Sequence, residues 1–220
     1  MSCKRYFITA TGTGIGKTFI TAALTRQLRS RGASVVALKP VISGFDPAKL
    51  EESDTGILLK AQGLPLSQAN AHAISPWQFS APISPDMAAE AEKRPVDLKE
   101  LIAFCRNNER QDYLLIEGVG GVMTPIGGDY TVLDWMTALG YEAIIVTGSY
   151  LGTLSHTLTA CHCITGRGMP IHSLIISESE TSPVPTARTL LTLKRFLPNN
   201  LPLYCVNRND TTALPAEMTL

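Results

Sequence analysis

Apolar positions in this chain fall into short continuous runs, separated by stretches in which they recur every three or four residues. The runs are Arg5–Thr9, Ser34–Lys39, Tyr113–Glu117, Glu142–Thr147, Pro170–Ser177 and Leu203–Asn207. Unbroken apolar runs of this length predict strands buried on both faces, as in a parallel sheet. Helical spacing between them predicts helices from Lys17 to Leu28, and over Thr55–Lys60, Asp86–Lys93, Pro95–Asn108 and Asp129–Gly140. Two more are predicted from Leu151 onward and over Thr186–Phe196. Arg31-Gly32 and Gly140 supply helix stops, and Pro40 stops the second strand. Residues 61–84, with Pro65, Pro76 and Pro82, read as one long loop of the kind that binds or covers a ligand. Strands alternating with helices predict an α/β fold, a mostly parallel sheet with helices on both faces. A chain of 220 residues is expected to form one domain over 1–220.

The first strand leads into Thr11-Gly-Thr-Gly-Ile-Gly-Lys-Thr18, followed by Phe19. Glycines let the backbone approach an anion closely. Loop N–H groups and a helix N-terminus then supply positive potential. A strand, a glycine turn and a helix opening at Lys17-Thr18 is a P-loop context, although Thr11 stands where the strict motif has its first glycine. Lys17 is then placed to reach β- and γ-phosphates, and Thr18 to bind Mg²⁺. The fold expected is P-loop NTPase-like.

Three further charged residues belong with this loop. Lys39 ends the second strand, and ligands of open α/β sheets bind at the carboxyl ends of strands. Glu117 ends a buried strand, as a Walker-B acid does, before Gly118-Val-Gly-Gly121. Asp54 reads equally well as a helix cap or early-turn acid and as a Mg²⁺ ligand.

Composition narrows the classes. Nineteen basic and nineteen acidic side chains give a formal net charge of +0, which argues against a nucleic-acid or membrane surface as the main partner. No apolar run reaches transmembrane length. Met1-Ser-Cys-Lys-Arg runs straight into the first strand, so a cytoplasmic location is expected. Five cysteines, an odd number, are read as free thiols. Cys161-His162-Cys163 has no second ligand pair and is not expected to bind metal.

These segments together resemble the dethiobiotin synthetase family. The likeness rests on Thr11–Thr18, Lys39-Pro-Val-Ile-Ser43-Gly44, Ser53-Asp54, Ala81-Pro-Ile-Ser-Pro85, Glu117–Gly121, and Leu151-Gly152 with His156, in that order. The resemblance implies an ATP-dependent ligase that adds CO2 to 7,8-diaminononanoate and closes the ring to dethiobiotin in biotin biosynthesis. The route runs through a carbamate and a carbamic–phosphoric anhydride. It implies Lys17 and Lys39 flanking the carbamate and γ-phosphate, with Thr13 and Ser43 bonding to the carbamate region. It implies ATP on Gly14, Ile15, Gly16, Lys17, Thr18 and Phe19, and Mg²⁺ on Thr18, Asp54 and Glu117. Gly120 and Gly121 would back the diamine. The helix start at Gly152, Thr153, Leu154 and Ser155 would take the substrate carboxylate from a neighbouring subunit, which implies a homodimer. The family usually has glycine at the place of Ala10, aspartate at that of Gly12, and an adenine-reading asparagine at that of Ser177. Serine cannot make asparagine's paired contact, and Asn207 is the candidate to contribute instead.

Two other readings fit a P-loop chain. One is a carboxylate-activating amidoligase, which usually carries a glutaminase domain that 220 residues cannot hold. The other is a regulatory or partitioning ATPase. Such proteins often have a second lysine early in the loop, where residues 10–15 here have none.

Overall fold

The computed structural model of the chain describes residues 3–208 together with Leu214, Met218 and Leu220. In chain order its elements begin β1 (Lys4–Ala10), α1 (Lys17–Ser30), β2 (Val35–Leu38), β3 (Val41–Ser43), α2 (Asp54–Gln62), α3 (Gln68–Ile74) and β4 (Trp77–Phe79). They continue α4 (Pro85–Ala91), α5 (Leu98–Asn107), β5 (Tyr113–Glu117), β6 (Pro125–Gly127), β7 (Tyr130–Thr131) and α6 (Val132–Leu139). The last are β8 (Glu142–Thr147), α7 (Thr153–Gly166), β9 (Ile171–Ser177), α8 (Thr186–Leu193) and β10 (Leu203–Val206).

Six strands form one parallel sheet in the order β10-β9-β8-β1-β5-β2. The central strands are apolar because both their faces are covered: Phe7, Ile8, Leu114, Leu115, Ile116 and Ala143 through Val146 are all fully buried. Phe7 meets Trp135 of α6 edge-on, with ring centroids 4.7 Å apart. The chain leaves β1 for the far edge at β2, returns to β5, and then crosses to β8 on the other side of β1. Strand order therefore reverses at β1, where α/β sheets open a crevice at the carboxyl ends of their strands. Register brings those ends level, because Ile8 pairs with both Glu117 and Ile144. The turn after Ala10, the carboxylate of Glu117 and the loop after Thr147 thus emerge together.

The α/β fold expected from the sequence is the one found. Residues 61–84 are the main departure. They hold α3 and β4 rather than one loop, and β4 pairs in parallel with β3 beside the main sheet. Three-residue strands are too short to show a period. The stretch expected as one helix over Asp129–Gly140 starts later, because Tyr130–Thr131 forms β7 and pairs with β6. Thr131 caps α6 in a reciprocal box with Asp134. The helix expected to run to Phe196 ends at Leu193. No helix among the described residues is long and apolar enough to cross a membrane.

Candidate nucleotide and substrate site

α1 begins directly after the glycine turn. Gly16 precedes it with φ 100°, a conformation that L side chains rarely adopt, and no side chain caps the helix. Its first N–H groups are left for an anion. Lys17, buried in the first turn, donates from Nζ to the carbonyls of Gly12 at 3.0 Å and Gly120 at 2.7 Å. These bonds fold the lysine back across the loop. Burial, and then the neighbouring Lys39 charge, pull its pKa down to about 8.

Lys39 lies just beyond β2, fixed by its N–H bond to Ile74 O. Its ammonium donates to Glu117 Oε1 at 2.7 Å and Gly118 O at 3.0 Å, and it sits 3.2 Å from Asp54 Oδ2. Burial disfavours this charge, but Glu117 and then Asp54 outweigh it, so the Lys39 pKa is raised. Burial would raise the Asp54 pKa, but the Lys39 ammonium beside its carboxylate outweighs that and lowers it. Ser53 is the cap of α2, accepting from Gly56 N, so Asp54 stands in the first turn with its carboxylate turned to the site.

Thr18 Oγ1 donates to Glu117 Oε1 at 2.7 Å. The other oxygen, Oε2, is buried without a hydrogen-bond partner among the described residues. A buried carboxylate oxygen in that state is costly unless something binds it. Mg²⁺ takes one or two carboxylates and keeps its other positions for water and phosphate oxygens. Thr18, Asp54 and Glu117 fit such an ion.

A cavity of about 700 Å³ opens beside Lys17, Thr18, Lys39 and Asp54, while Glu117, fully buried beneath them, does not line it. Thr13, Gly14, Ile15, Gly16, Lys17, Thr18, Lys39, Ser43, Asp54 and Gly120 line it, together with Pro82–Pro85. A second cavity, of about 440 Å³, lies on the other flank of the glycine turn. Gly14, Ile15, Gly16 and Phe19 line it together with Ser177 and Asn207. Gly121 does not line the first cavity; its N–H donates to Thr124 Oγ1 at 2.7 Å. Gly152, Thr153, Leu154 and Ser155 line neither cavity; Thr153 is buried and donates to Gly148 O. Ile42, Val119, Thr124 and Pro125 also line the first cavity and were not expected from the sequence. All four are uncharged; Ile42 and Val119 sit inside two of the family-like segments, and no charge or motif marks Thr124 or Pro125.

The chain matches the family model described as an AAA domain over residues 4–202. It is 46% identical over 197 residues to the ATP-dependent dethiobiotin synthetase BioD of Acidiphilium cryptum, with 88% of each chain covered. This chain belongs to the dethiobiotin synthetase family. The dethiobiotin synthetase BioD 1 of Escherichia coli is 32% identical, over 89% of this chain and 87% of its own. The septum site-determining protein MinD of Pyrococcus horikoshii, solved with Mg-ADP, superposes at a TM-score of 0.55 with 18% identity, covering 94% of this chain and 82% of its own. The hydrogenase maturation factor HypB of Archaeoglobus fulgidus does so at 0.55 with 11% identity, covering 93% of this chain and 81% of its own. Those likenesses concern the P-loop α/β fold alone.

Proposed function

We propose that this chain makes dethiobiotin from 7,8-diaminononanoate, CO2 and ATP. The observation that carries this reading is the pair of buried lysines, Lys17 and Lys39, at one end of the first cavity in a member of this family. The chemistry has no need of a protein nucleophile. An amine adds to CO2, forming a C–N bond and releasing a proton. The carbamate oxygen attacks the γ-phosphorus of ATP, and ADP leaves. The second amine then attacks the carbamoyl carbon, expelling phosphate and closing the cyclic urea.

Each of these steps builds negative charge on carbamate or phosphate oxygens. Fixed cations and donors placed where that charge develops lower the barrier. Lys17 and Lys39 act there as electrostatic stabilisers, while Thr13 and Ser43 donate hydrogen bonds to the carbamate. Lys17 must leave the carbonyls of Gly12 and Gly120 to meet phosphate, and both carbonyls are within its own reach. Gly120 and Gly121 present backbone, without side chains, to the diamine. Thr18, Asp54 and Glu117 would hold Mg²⁺, which when bound offsets charge on the β- and γ-phosphates. Gly14 through Phe19 cradle the triphosphate, and the base lies toward Ser177 and Asn207.

The start of α7 is uncapped by any side chain, with Gly152 at φ 99°. In one chain it stands apart from the first cavity, so we place it against the substrate carboxylate of a second copy, in a homodimer acting in the cytoplasm. Incubation of the protein with 7,8-diaminononanoate, bicarbonate and Mg-ATP tests the proposal. Dethiobiotin detected by mass spectrometry, and absent with Lys17→Ala, supports it; ATP turnover without dethiobiotin contradicts it.

A further inference from the structure

The second cavity holds an acceptor that the first reading of the site leaves without a task. Glu178 follows β9 directly and lines that cavity beside Asn207, which follows the neighbouring strand β10. Its backbone is held at several points. The Glu178 N–H donates to Val206 O at 2.9 Å. On one side, Ser177 packs on the glycine turn so closely that a Cβ on Gly16 would lie 2.7 Å from its hydroxyl oxygen. On the other, Ser179 and Ser149 exchange two hydrogen bonds, each N–H donating to the other's hydroxyl oxygen at 3.0 Å. The carboxylate itself is tethered, because Arg208 N–H donates to Glu178 Oε2 at 3.0 Å. One oxygen is thus anchored to the backbone, and Oε1 makes no hydrogen bond among the described residues.

A carboxylate accepts and cannot donate. Facing an exocyclic amino group of a base it gains a charge-assisted bond. Facing a carbonyl oxygen in the same place it meets lone pairs. Ser177, by contrast, has a single hydroxyl that serves either partner. We propose that Glu178 selects the nucleotide by accepting from an amino group of its base, so that the protein takes adenine and cytosine nucleotides and rejects those with a carbonyl in that position. The proposal rests on the reading of the second cavity as the base site. Asn207 can donate to a ring nitrogen beside the amino group, which adenine and cytosine both present.

Loss of one such bond with an unmatched acceptor left behind corresponds to roughly 10- to 100-fold in affinity. The test is displacement of a fluorescent ATP analogue by ATP, ITP, CTP and UTP. ATP should bind at least about 10-fold more tightly than ITP, and CTP than UTP. In Glu178→Gln both ratios should fall toward unity, since an amide can turn its N–H₂ to a carbonyl. Ratios near unity in the unmutated protein overturn the proposal without recourse to any variant. So do ratios that Glu178→Gln, with an unchanged thermal midpoint, leaves as they were. Dethiobiotin formation, scored separately, keeps the two readings apart. Product formed equally well with ATP and ITP removes the role of Glu178 and leaves the activity standing. Discrimination in binding without product leaves the role of Glu178 and removes the activity.

Discussion

Lys39 and Glu117 form a buried ion pair: Nζ lies 2.7 Å from Oε1, and the side chains are 3% and 0% exposed. Taking both charges from water is unfavourable, and attraction offsets it only where further hydrogen bonds complete the geometry. Here Gly118 O and Asp54 complete the lysine and Thr18 completes one carboxylate oxygen. Removing one partner strands the other. Lys39→Ala should therefore cost about 3–5 kcal/mol of folding stability, read as a lower urea midpoint. Lys39→Met combined with Glu117→Leu should recover most of that loss while abolishing activity. An unchanged midpoint in Lys39→Ala would show that the pair is not holding the site together.

Nucleotide affinity should depend on pH through Lys17. Its pKa in the folded protein is about 8, lowered by burial and by Lys39. Below that value the side chain is charged and ready for phosphate. Above it, binding requires proton uptake, so affinity should fall by up to tenfold for each further pH unit. Calorimetry in two buffers of different ionisation enthalpy should report uptake of a proton near pH 9 that is absent in Lys17→Ala. The same shift acts on folding: between pH 8 and 10.5 the unfolded lysine holds a proton that the folded one has released, so this residue makes stability rise with pH there. An ATP affinity that stays level up to pH 10 would contradict the assignment.

Gly16→Ala should weaken both folding and nucleotide binding. The position has φ 100°, and an added Cβ would stand 2.7 Å from Ser177 Oγ. The backbone strain alone is of order 1–3 kcal/mol. Ser177→Gly in the same chain removes the collision and leaves the strain, so the double variant should recover part of the loss. Equal midpoints for the single and double variants would mean that Ser177 yields freely.

The glycine turn and the strand-end acid were legible because each is local. A loop between strand and helix needs only a few residues to announce itself, and Glu117 closes an apolar run. The sheet was legible for the same reason, strand by strand. What escaped depends on contacts distant in sequence. Lys39 and Glu117 stand 78 positions apart, and only the register of β1, β5 and β2 brings them together. The hydrogen bonds that fold Lys17 back run to Gly12 and to Gly120, 103 positions away. Strands β3 and β4 are stabilised by each other and not by their own sequence. The anchoring of Glu178 needs β10 beside β9 and the loop after β8 beside both.

The most direct measurement follows carbon from bicarbonate. The protein is given 7,8-diaminononanoate, Mg-ATP and carbon-13 bicarbonate, and product and ADP are quantified together. The account expects labelled dethiobiotin, its label in the ureido carbonyl, formed in equal amount to ADP. ADP released without labelled dethiobiotin would contradict it, leaving a P-loop ATPase with another purpose.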